Sequence, residues 1–339
     1  MKVIIDPLYH PLYATFYLKA LIEKFGKRNI VFSRKPFEKL KAPEVFCFNF
    51  VIENDGKEQK YSIDHCDSDR ILDTDSYHWC DVFGKVNTNW AKTPKAQFPK
   101  LVSLLPSFGV RAFGTWQSLL HLSKILFKAK FNVTNFKKFV GKYKRLWQNR
   151  LFLEEYENTV FAGENYVFHL STLWYNDEWN KNDEGVNRVR ANFIRVCKRL
   201  PNIRFEGGLL SKTNNPLFED VIYRSDRQMS INEYVTKTKK SVFVFNTPSF
   251  WNCHGWKLGE YLAMGKAIIS TPLSNDLPYP PEHGINIHFL KNDSEEELEN
   301  AINQIVNHLD YRKKLETGAK KYWETYGTPE KSLELLGIK

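Results

Sequence analysis

A cluster of polar residues at the predicted start of one helix has the types and spacing needed to bind a nucleoside diphosphate. The cluster comprises His254, Gly255, Lys257 and Glu260. A helix N-terminus offers N–H groups and partial positive charge to a phosphate, Gly255 lets a ligand approach the backbone, and Lys257 adds a formal charge. Glu260 lies three residues later on the same face, where its carboxylate could accept two hydrogen bonds from a ribose diol. An ordinary surface Lys–Glu pair has the same spacing, so spacing alone leaves both interpretations open.

The residues around this cluster predict a strand, a loop, a helix and a second strand. The apolar run at 241–245 indicates a buried strand, which turn-forming residues end. Apolar residues at helical spacing predict a helix over 255–264, and a further strand follows at 267–270. Such parallel units bind ligands at the carboxyl ends of their strands. Asn246 and Thr247 stand at such an end, so we predict that they also contact the ligand.

The segment HGWKLGEYLAMGKAIIS resembles the donor-binding segment of GT-B-fold glycosyltransferases. In that family a helix with the pattern Glu-x-x-Ala-x-Gly-x-x-(Ile/Val) binds a nucleotide sugar. The resemblance implies that Lys257 contacts the diphosphate and Glu260 the ribose. It also implies two Rossmann-like domains that face each other across a cleft, and a UDP-, GDP- or dTDP-sugar donor without an obligate metal.

Two features of the retaining members of that family are missing. The first of their two glutamates corresponds to Asn252 here, and no Arg-x-x-x-x-Lys follows the first strand of the second half, which reads STLWYNDEWNKN. Inverting chemistry therefore stays open, as does a divergent donor pocket similar to those of fucosyltransferase- or exostosin-like enzymes.

The chain is long enough for two domains, with 339 residues of which 42% are hydrophobic. Strand and helix patterns alternate in both halves, which predicts the α/β class. We expect an acceptor-binding domain over 1–153, a donor-binding domain over 154–327 and a tail at 328–339 that packs back on the first domain. Asp55-Gly56 is a hairpin signal between two strand patterns, and we expect that antiparallel pair at a sheet edge.

Composition excludes several classes of protein. The sequence has no run of eighteen apolar residues, and MKVIIDPLYHP predicts a first strand and not a signal peptide. Five scattered cysteines favour reduced thiols in a cytoplasmic protein. No metal site is predicted, because the residues that suggest zinc lack Cys-x-x-Cys spacing: His65, Cys66, His78 and Cys80.

Positive charge is concentrated in the first half of the chain. Residues 1–150 hold 26 Lys and Arg against 13 Asp and Glu, and no acidic residue occurs between Gln117 and Leu153. Within that stretch, basic residues interleave with apolar ones, a pattern of helices that lie on an anionic membrane. A solvated helix face with its aromatic residues packed inward gives the same pattern. We expect peripheral contact with the cytosolic membrane face, or an acceptor surface, at Lys124, Lys128, Lys137, Lys138, Lys142, Lys144 and Arg145.

Other site residues are predicted from strand ends. The candidates for the catalytic base at strand ends of the first half are Asp6, His10, Asp64, His65 and Asp81. Asp6 and His10 come first among them, because they follow the first strand and would face the cleft. Asn275 and Asp276 lie in a proline-rich loop after the strand at 267–270, where they could bond sugar hydroxyls or only make a turn. At most one of Trp174, Trp179, Trp251 and Trp256 is expected to contact the sugar or base.

These observations favour a glycosyltransferase that moves a sugar from a nucleotide sugar to a glycan or lipid-linked saccharide. Surface polysaccharide, lipopolysaccharide or glycolipid assembly is the expected setting. Two alternatives stay open, namely a non-enzymatic nucleotide-binding α/β protein and a nucleic-acid-binding protein that uses its basic surface. The sequence has no Walker loop, Gly-x-Gly-x-x-Gly motif or RNA-binding aromatic signature that would favour either alternative.

Overall fold

The computed structural model describes residues 1–40, 46–129, 135–157, 164–174, 183–211 and 215–339. Strands and helices alternate in both halves of the chain, and each half builds its own parallel-rich set of strands. The predicted α/β class, with two Rossmann-like units facing each other across a cleft, is confirmed. None of the described helices combines the length and apolar character that crossing a membrane requires.

The N-terminal half contains a six-stranded sheet in the order β2-β1-β3-β4-β5-β6. Only β3 runs against the others, because β1 and β4 both pair with it in antiparallel register while the remaining pairs are parallel. The carboxyl ends of the other five strands therefore meet at one edge. The strands are β1 (Lys2–Ile5), β2 (Ile30–Phe32), β3 (Cys47–Asn54), β4 (Lys57–Asp64), β5 (Val82–Lys85) and β6 (Leu101–Ser103).

The predicted hairpin forms, but its predicted place at the sheet edge is wrong. Asp55 and Gly56 have φ values of 50° and 77°, the left-handed conformation that a two-residue hairpin turn requires. The hairpin strand β3 lies in the middle of the sheet, since its residues 47–52 are all buried. A strand that is covered on both faces has a continuous apolar sequence. The apolar run of β3 therefore indicates an interior strand and not an edge strand.

Among the described residues of this half there are five α-helices, and two of them carry the basic segment. They are α1 (Pro11–Phe25), α2 (Thr74–Trp79), α3 (Thr115–Lys128), α4 (Phe136–Asn149) and α5 (Leu153–Glu157). Pro11 is the first residue of α1, a position at which the backbone N–H has no hydrogen-bond partner within the helix, so proline is tolerated there. Gly26 follows the helix with a φ of 79°.

The C-terminal half contains two sets of parallel strands that lie side by side. One set is β7 with β8, the other is β11-β10-β9, and the N–H of Val242 donates to the carbonyl of Tyr166 at 2.8 Å between them. The elements are β7 (Tyr166–Thr172), α6 (Asp183–Arg199), β8 (Arg204–Leu210), α7 (Ile231–Lys240), β9 (Val244–Asn246), α8 (Trp256–Ala263), β10 (Ile268–Ser270), β11 (His288–Phe289), α9 (Glu295–Asn307), α10 (Leu309–Tyr322) and α11 (Pro329–Leu335).

An aromatic cluster joins the two halves. Trp323, in the π-helical turn after α10, is fully buried, and its ring centroid lies 5.6 Å from that of Phe108 and 6.2 Å from that of Phe16. Helix α11 then packs on α1, with Leu333 buried in the same core. Because this core contains residues from both halves, the domain boundaries given above stay a prediction.

A second contact joins the halves at the loop after β10. Asp276 and Thr88 form an antiparallel bridge, in which the N–H of Asp276 donates to the Thr88 carbonyl at 2.8 Å. The N–H of Trp90 donates to the Asp276 carboxylate, and the N–H of His254 donates to the Asn87 side chain, each at 2.8 Å. We call this set of hydrogen bonds the Asp276 bridge.

Candidate functional site

Helix α8 lies at the junction of the two halves, in the parallel unit β9-α8-β10 that the sequence predicts. Its apolar face is buried through Leu258, Tyr261 and Leu262, and Gly265 has a φ of 61° just past its end. A Cβ at Gly259 would come within 2.7 Å of the Pro106 carbonyl, so the helix contacts the N-terminal half at backbone distance. The N-terminus of α8 points its first turn at a cavity.

This central cavity has a volume of about 670 Å³ and is lined by both halves of the chain. Its size lies within the range of small-molecule sites in proteins, roughly 300–1,000 Å³. The N-terminal half contributes Leu12, Tyr13, Asp67, Asn149 and Arg150. The C-terminal half contributes, among others, His169–Thr172, Trp174, Arg190, Tyr234, Thr247, Cys253, Trp256, Lys257 and Glu260.

Three cationic side chains line this cavity, namely Arg150 from the N-terminal half and Lys257 and Arg190 from helices of the C-terminal half. Lys257, in the first turn of α8, donates to the Leu170 carbonyl at 2.5 Å. Arg190 of α6 is 5% exposed and donates to the Thr247 hydroxyl at 2.8 Å and to the carbonyls of Thr172 and Pro248 at 3.0 and 2.8 Å. Burial, and then the positive charge of Arg190, lower the pKa of Lys257 to about 7. Two neighbouring positive groups in a largely buried pocket favour the approach of an anion.

Glu260 lies on the same helix face as Lys257, one turn further along α8. It is 5% exposed, and burial raises the pKa of its carboxyl, while the charges of Arg150 and Lys257 act in the opposite direction. The Tyr234 hydroxyl shares a hydrogen bond with it. Its carboxylate lines the cavity near Arg150 and Lys257 and is therefore placed to accept hydrogen bonds from a bound polar ligand.

The opposite side of the cavity is built by the N-terminal half. The ring of Tyr13 stacks on His65 at 4.6 Å and meets Trp256 edge-on at 4.9 Å. The Arg150 guanidinium lies 4.5 Å from the centre of the Trp256 ring. Tyr13 and Arg150 of the N-terminal half thus pack directly on Trp256, the first residue of α8, and form an aromatic wall of the cavity beside the helix N-terminus.

Asp67 is the carboxylate on this N-terminal side. It follows β4, at the edge where the carboxyl ends of five strands meet, and it accepts a hydrogen bond from the Cys253 thiol. Burial raises the pKa of the Asp67 carboxyl above its ordinary value. The cavity thus presents a carboxylate from each half of the chain, together with the cations Arg150, Arg190 and Lys257.

The structure brings together half of the predicted donor-site residues. Thr247, Gly255, Lys257 and Glu260 line the central cavity. Of the tryptophans considered above, Trp174 and Trp256 line it too, Trp251 does not, and Trp179 lies outside the described residues. Thr247 has a role that the sequence did not predict, because its hydroxyl oxygen holds the Arg190 guanidinium.

The other predicted donor residues lie elsewhere. Asn246 is buried and donates to the Ser270 hydroxyl at 2.9 Å, within the strand layer. Asp276 and the backbone of His254 belong to the Asp276 bridge, and Asn275 donates to the Asn252 carbonyl at 3.2 Å. None of these four residues lines the central cavity, and the contacts described for them are contacts within the fold.

The predicted catalytic residues are also displaced from the cavity. Asp6 is 1% exposed, forms an ion pair with Arg34 and accepts the N–H of Leu8 at 3.0 Å. His10 precedes α1, where its ring packs on Tyr13, and burial together with nearby Lys142 lowers its pKa to about 3. Neither residue lines the central cavity, so Asp67 replaces them as the N-terminal carboxylate closest to the candidate site.

Helix α4 turns Phe139 and Tyr143 inward, whereas Trp116, Phe127 and Phe136 of the two basic helices are exposed. Phe139, Tyr143 and Leu146 of α4 are buried, which is the second of the two interpretations that the sequence left open. Lys142 is half-buried and its charge acts on His10. The remaining predicted basic residues are exposed, namely Lys124, Lys128, Lys137, Lys138, Lys144 and Arg145.

No protein-family model matches the chain, and no curated protein matches it. Comparison with solved structures finds the following similarities. The C-terminal domain of the group 1 glycosyl transferase LpcC from Francisella tularensis matches with 12% identity and a TM-score of 0.35, over 50% of this chain and 88% of that one. HepE of Anabaena, in complex with UDP-glucose, matches with 11% identity and a TM-score of 0.40, over 96% of this chain and 94% of that one.

A glycosyltransferase from Rickettsia africae matches with 12% identity and a TM-score of 0.35. The match covers 76% of this chain and 60% of the Rickettsia chain, which is therefore the longer of the two. Glycosyltransferases are among the structures to which this chain is similar.

Proposed function

We propose that this chain is a glycosyltransferase that takes a nucleotide-sugar donor and a glycan or lipid-linked saccharide acceptor. The observation that carries the proposal is the pairing of Lys257 with Arg190 in a cavity between the two halves. A diphosphate would relieve the repulsion between these cations, and Glu260 would bind the attached ribose. The acceptor would enter from the side of Tyr13 and Asp67.

The proposed reaction is a single displacement. The acceptor oxygen attacks the anomeric carbon of the donor while the bond from that carbon to the diphosphate breaks. The acceptor proton passes to Asp67, and the electron pair of the broken bond stays on the diphosphate, where Lys257 and Arg190 balance the charge. The product would have the anomeric configuration opposite to that of the donor. In this scheme the two cations supply the charge stabilisation, so activity is expected without added metal.

A thermal-shift panel with UDP, GDP, dTDP, CDP and CMP, without metal and then with magnesium, tests the donor site. One nucleoside diphosphate should raise the melting temperature by several degrees, because a ligand at 100 times its dissociation constant stabilises by about 2.7 kcal/mol. CMP should shift it less than CDP, since it lacks the second phosphate. If none of the five shifts the melting temperature at millimolar concentration, the nucleotide-sugar proposal is wrong, and binding to membrane or nucleic acid becomes the leading explanation.

We further propose that helices α3 and α4 bind an anionic membrane surface, where a lipid-linked acceptor of polysaccharide or glycolipid assembly would be found. Beside the exposed lysines, these helices expose large apolar side chains, with Trp116, Leu120 and Phe127 at 81%, 72% and 69% exposure. We call this surface the amphipathic patch. It consists of the exposed apolar residues Trp116, Leu119, Leu120, Phe127 and Phe136 and the exposed lysines Lys124, Lys128, Lys137, Lys138 and Lys144. Apolar side chains beside a cationic face are what an interfacial helix presents to lipid.

Co-sedimentation with liposomes tests this contact. The wild type should pellet with phosphatidylglycerol-containing vesicles and not with phosphatidylcholine vesicles, because each lysine near an anionic surface contributes about 1 kcal/mol. Changing Lys124, Lys128, Lys137, Lys138 and Lys144 to glutamate should abolish pelleting.

The matched control changes five exposed lysines of the C-terminal half to glutamate, namely Lys240, Lys291, Lys313, Lys314 and Lys321. Both variants alter the net charge by the same amount. If only the first variant fails to pellet with the vesicles, the amphipathic patch is the binding surface. Equal pelleting of the two variants would remove the membrane proposal and leave the donor site unaffected.

A further inference from the structure

A second cavity lies within the N-terminal half, between the end of α1, β2 and α3. We call it the α3 cavity. Its volume is about 160 Å³, and its lining is mostly apolar and aromatic, with Ile22, Ile30, Phe32, Phe113 and Leu120. An apolar cavity of about 150 Å³ can hold a benzene-sized molecule. The α3 cavity therefore has room for the end of a hydrocarbon chain.

Two lysines stand over the aromatic rings of this cavity. The Lys27 ammonium lies 5.5 Å from the centre of the Phe113 ring, and the Lys124 ammonium lies 5.4 Å from the centre of the Phe32 ring. Both side chains are exposed, and both line the cavity. The rings thus already face cations, so the entrance repels a cationic ligand and attracts an anionic one.

The remaining titratable group of the cavity is uncharged. The His121 side chain shares a hydrogen bond of 2.5 Å with the Tyr9 hydroxyl. Burial lowers the pKa of His121 to about 3, and the charges of Lys124 and Lys27 act in the same direction. At neutral pH the interior is therefore free of formal charge, and the positive charge is confined to its entrance.

We propose that the α3 cavity binds the hydrocarbon end of a lipid phosphate, with the phosphate head between Lys27 and Lys124. Leu120 belongs both to the cavity lining and to the amphipathic patch, so the entrance is continuous with the surface proposed to meet the membrane. The α3 cavity shares no lining residue with the central cavity. The lipid-phosphate proposal can therefore be tested independently of glycosyl transfer. It predicts that one amphiphile binds per chain, whereas a diffuse basic surface would bind several.

Isothermal titration with octyl phosphate, below the concentration at which it forms micelles, tests the site on the full chain. Octyl phosphate should bind one to one and at least tenfold more tightly than either octanol or inorganic phosphate. Ile22→Trp should weaken binding at least tenfold by filling the cavity while leaving both lysines in place. The double change Lys27→Glu and Lys124→Glu should weaken it comparably by reversing the charge at the entrance.

The control is the double change Lys137→Glu and Lys138→Glu on α4, outside this cavity, which should leave octyl phosphate affinity unchanged. Inorganic phosphate that binds as tightly as octyl phosphate would overturn the proposal, because the cavity would then not be used. Wild-type affinity in Ile22→Trp, or equal weakening by the two lysine pairs, would overturn it as well. If Ile22→Trp does not fold, Leu120→Asp at the exposed rim repeats the test, and wild-type affinity there has the same meaning.

Discussion

Lys257→Met is expected to weaken nucleotide binding by roughly 100-fold, because hydrogen bonds to charged groups contribute about 1.5–3 kcal/mol each. The same change should raise the melting temperature. In the folded chain the pKa of Lys257 lies at about 7, so folding holds a cation where burial and Arg190 disfavour it. Removing that charge stabilises the fold and destroys the anion site, a trade between stability and function that active sites commonly show.

The pH dependence of both effects has a defined sign. Because the pKa of Lys257 is lower in the folded chain than its ordinary value of 10.5, this group destabilises the fold most below pH 7, and the penalty shrinks as the pH rises from 7 towards 10.5. The gain in melting temperature in Lys257→Met should therefore be larger at pH 6 than at pH 9. Nucleotide affinity of the wild type should fall above pH 7, and binding at pH 8 should take up a proton.

Titration calorimetry in two buffers of different ionisation enthalpy measures this proton uptake, and thermal melts at the two pH values measure stability. Lys240→Met serves as the control, since Lys240 is exposed at the end of α7 and away from the central cavity. It should change neither affinity nor its pH dependence. Wild-type affinity in Lys257→Met would place the phosphate site elsewhere.

Asp67→Asn should reduce turnover by about 10²–10⁴-fold, the range expected for loss of a general base. Nucleotide affinity should stay within twofold, because Asp67 lies on the acceptor side of the cavity. Asparagine keeps the shape of the side chain and an oxygen that can accept the Cys253 thiol, so the local fold should persist. Release of the nucleoside diphosphate identified by the thermal-shift panel measures turnover, with water or an added saccharide as acceptor.

A pH profile separates a base from a residue that only supports the structure. Wild-type turnover should fall as the pH drops through the raised pKa of Asp67, since only the carboxylate can take the acceptor proton. That acid limb should disappear in Asp67→Asn. Asp69→Asn is the matched control, because Asp69 lies two residues away, pairs with Lys92 and does not line the cavity. A retained acid limb in Asp67→Asn would assign the base to another group.

Local sequence patterns predicted helix α8 well and the residues around it in the central cavity poorly. The length of α8, its buried face and the positions of Lys257 and Glu260 follow from helical spacing within about ten residues. Arg190 carries no such signal, because it reaches Lys257 only after α6 packs beside β9. Asp67 likewise follows β4 in an irregular segment, and only the order of strands in the sheet brings it to the cavity.

Asn275, Asp276 and Asp6 show the same limit of local patterns, because their positions along the chain are as predicted but their contacts depend on how distant segments pack. Asn275 and Asp276 do follow β10, as predicted, but spacing cannot tell which way a proline-rich loop turns once it leaves the sheet. Here the loop turns towards Thr88 and pairs with its backbone. Asp6 follows β1 as predicted, yet Arg34, which follows β2, is brought beside it by strand pairing and neutralises it.

The Asp276 bridge also limits how the two halves could be recombined with those of other proteins. A graft that replaced the C-terminal half to change the donor would remove the partner of Thr88 and Trp90 and leave those backbone groups unmatched. It would also remove Trp323 from between Phe16 and Phe108. In a chimera that folds, the N-terminal half of this chain would therefore have to keep two of its own C-terminal segments. These are the loop that contains Asp276 and the end of the chain from Trp323 onwards.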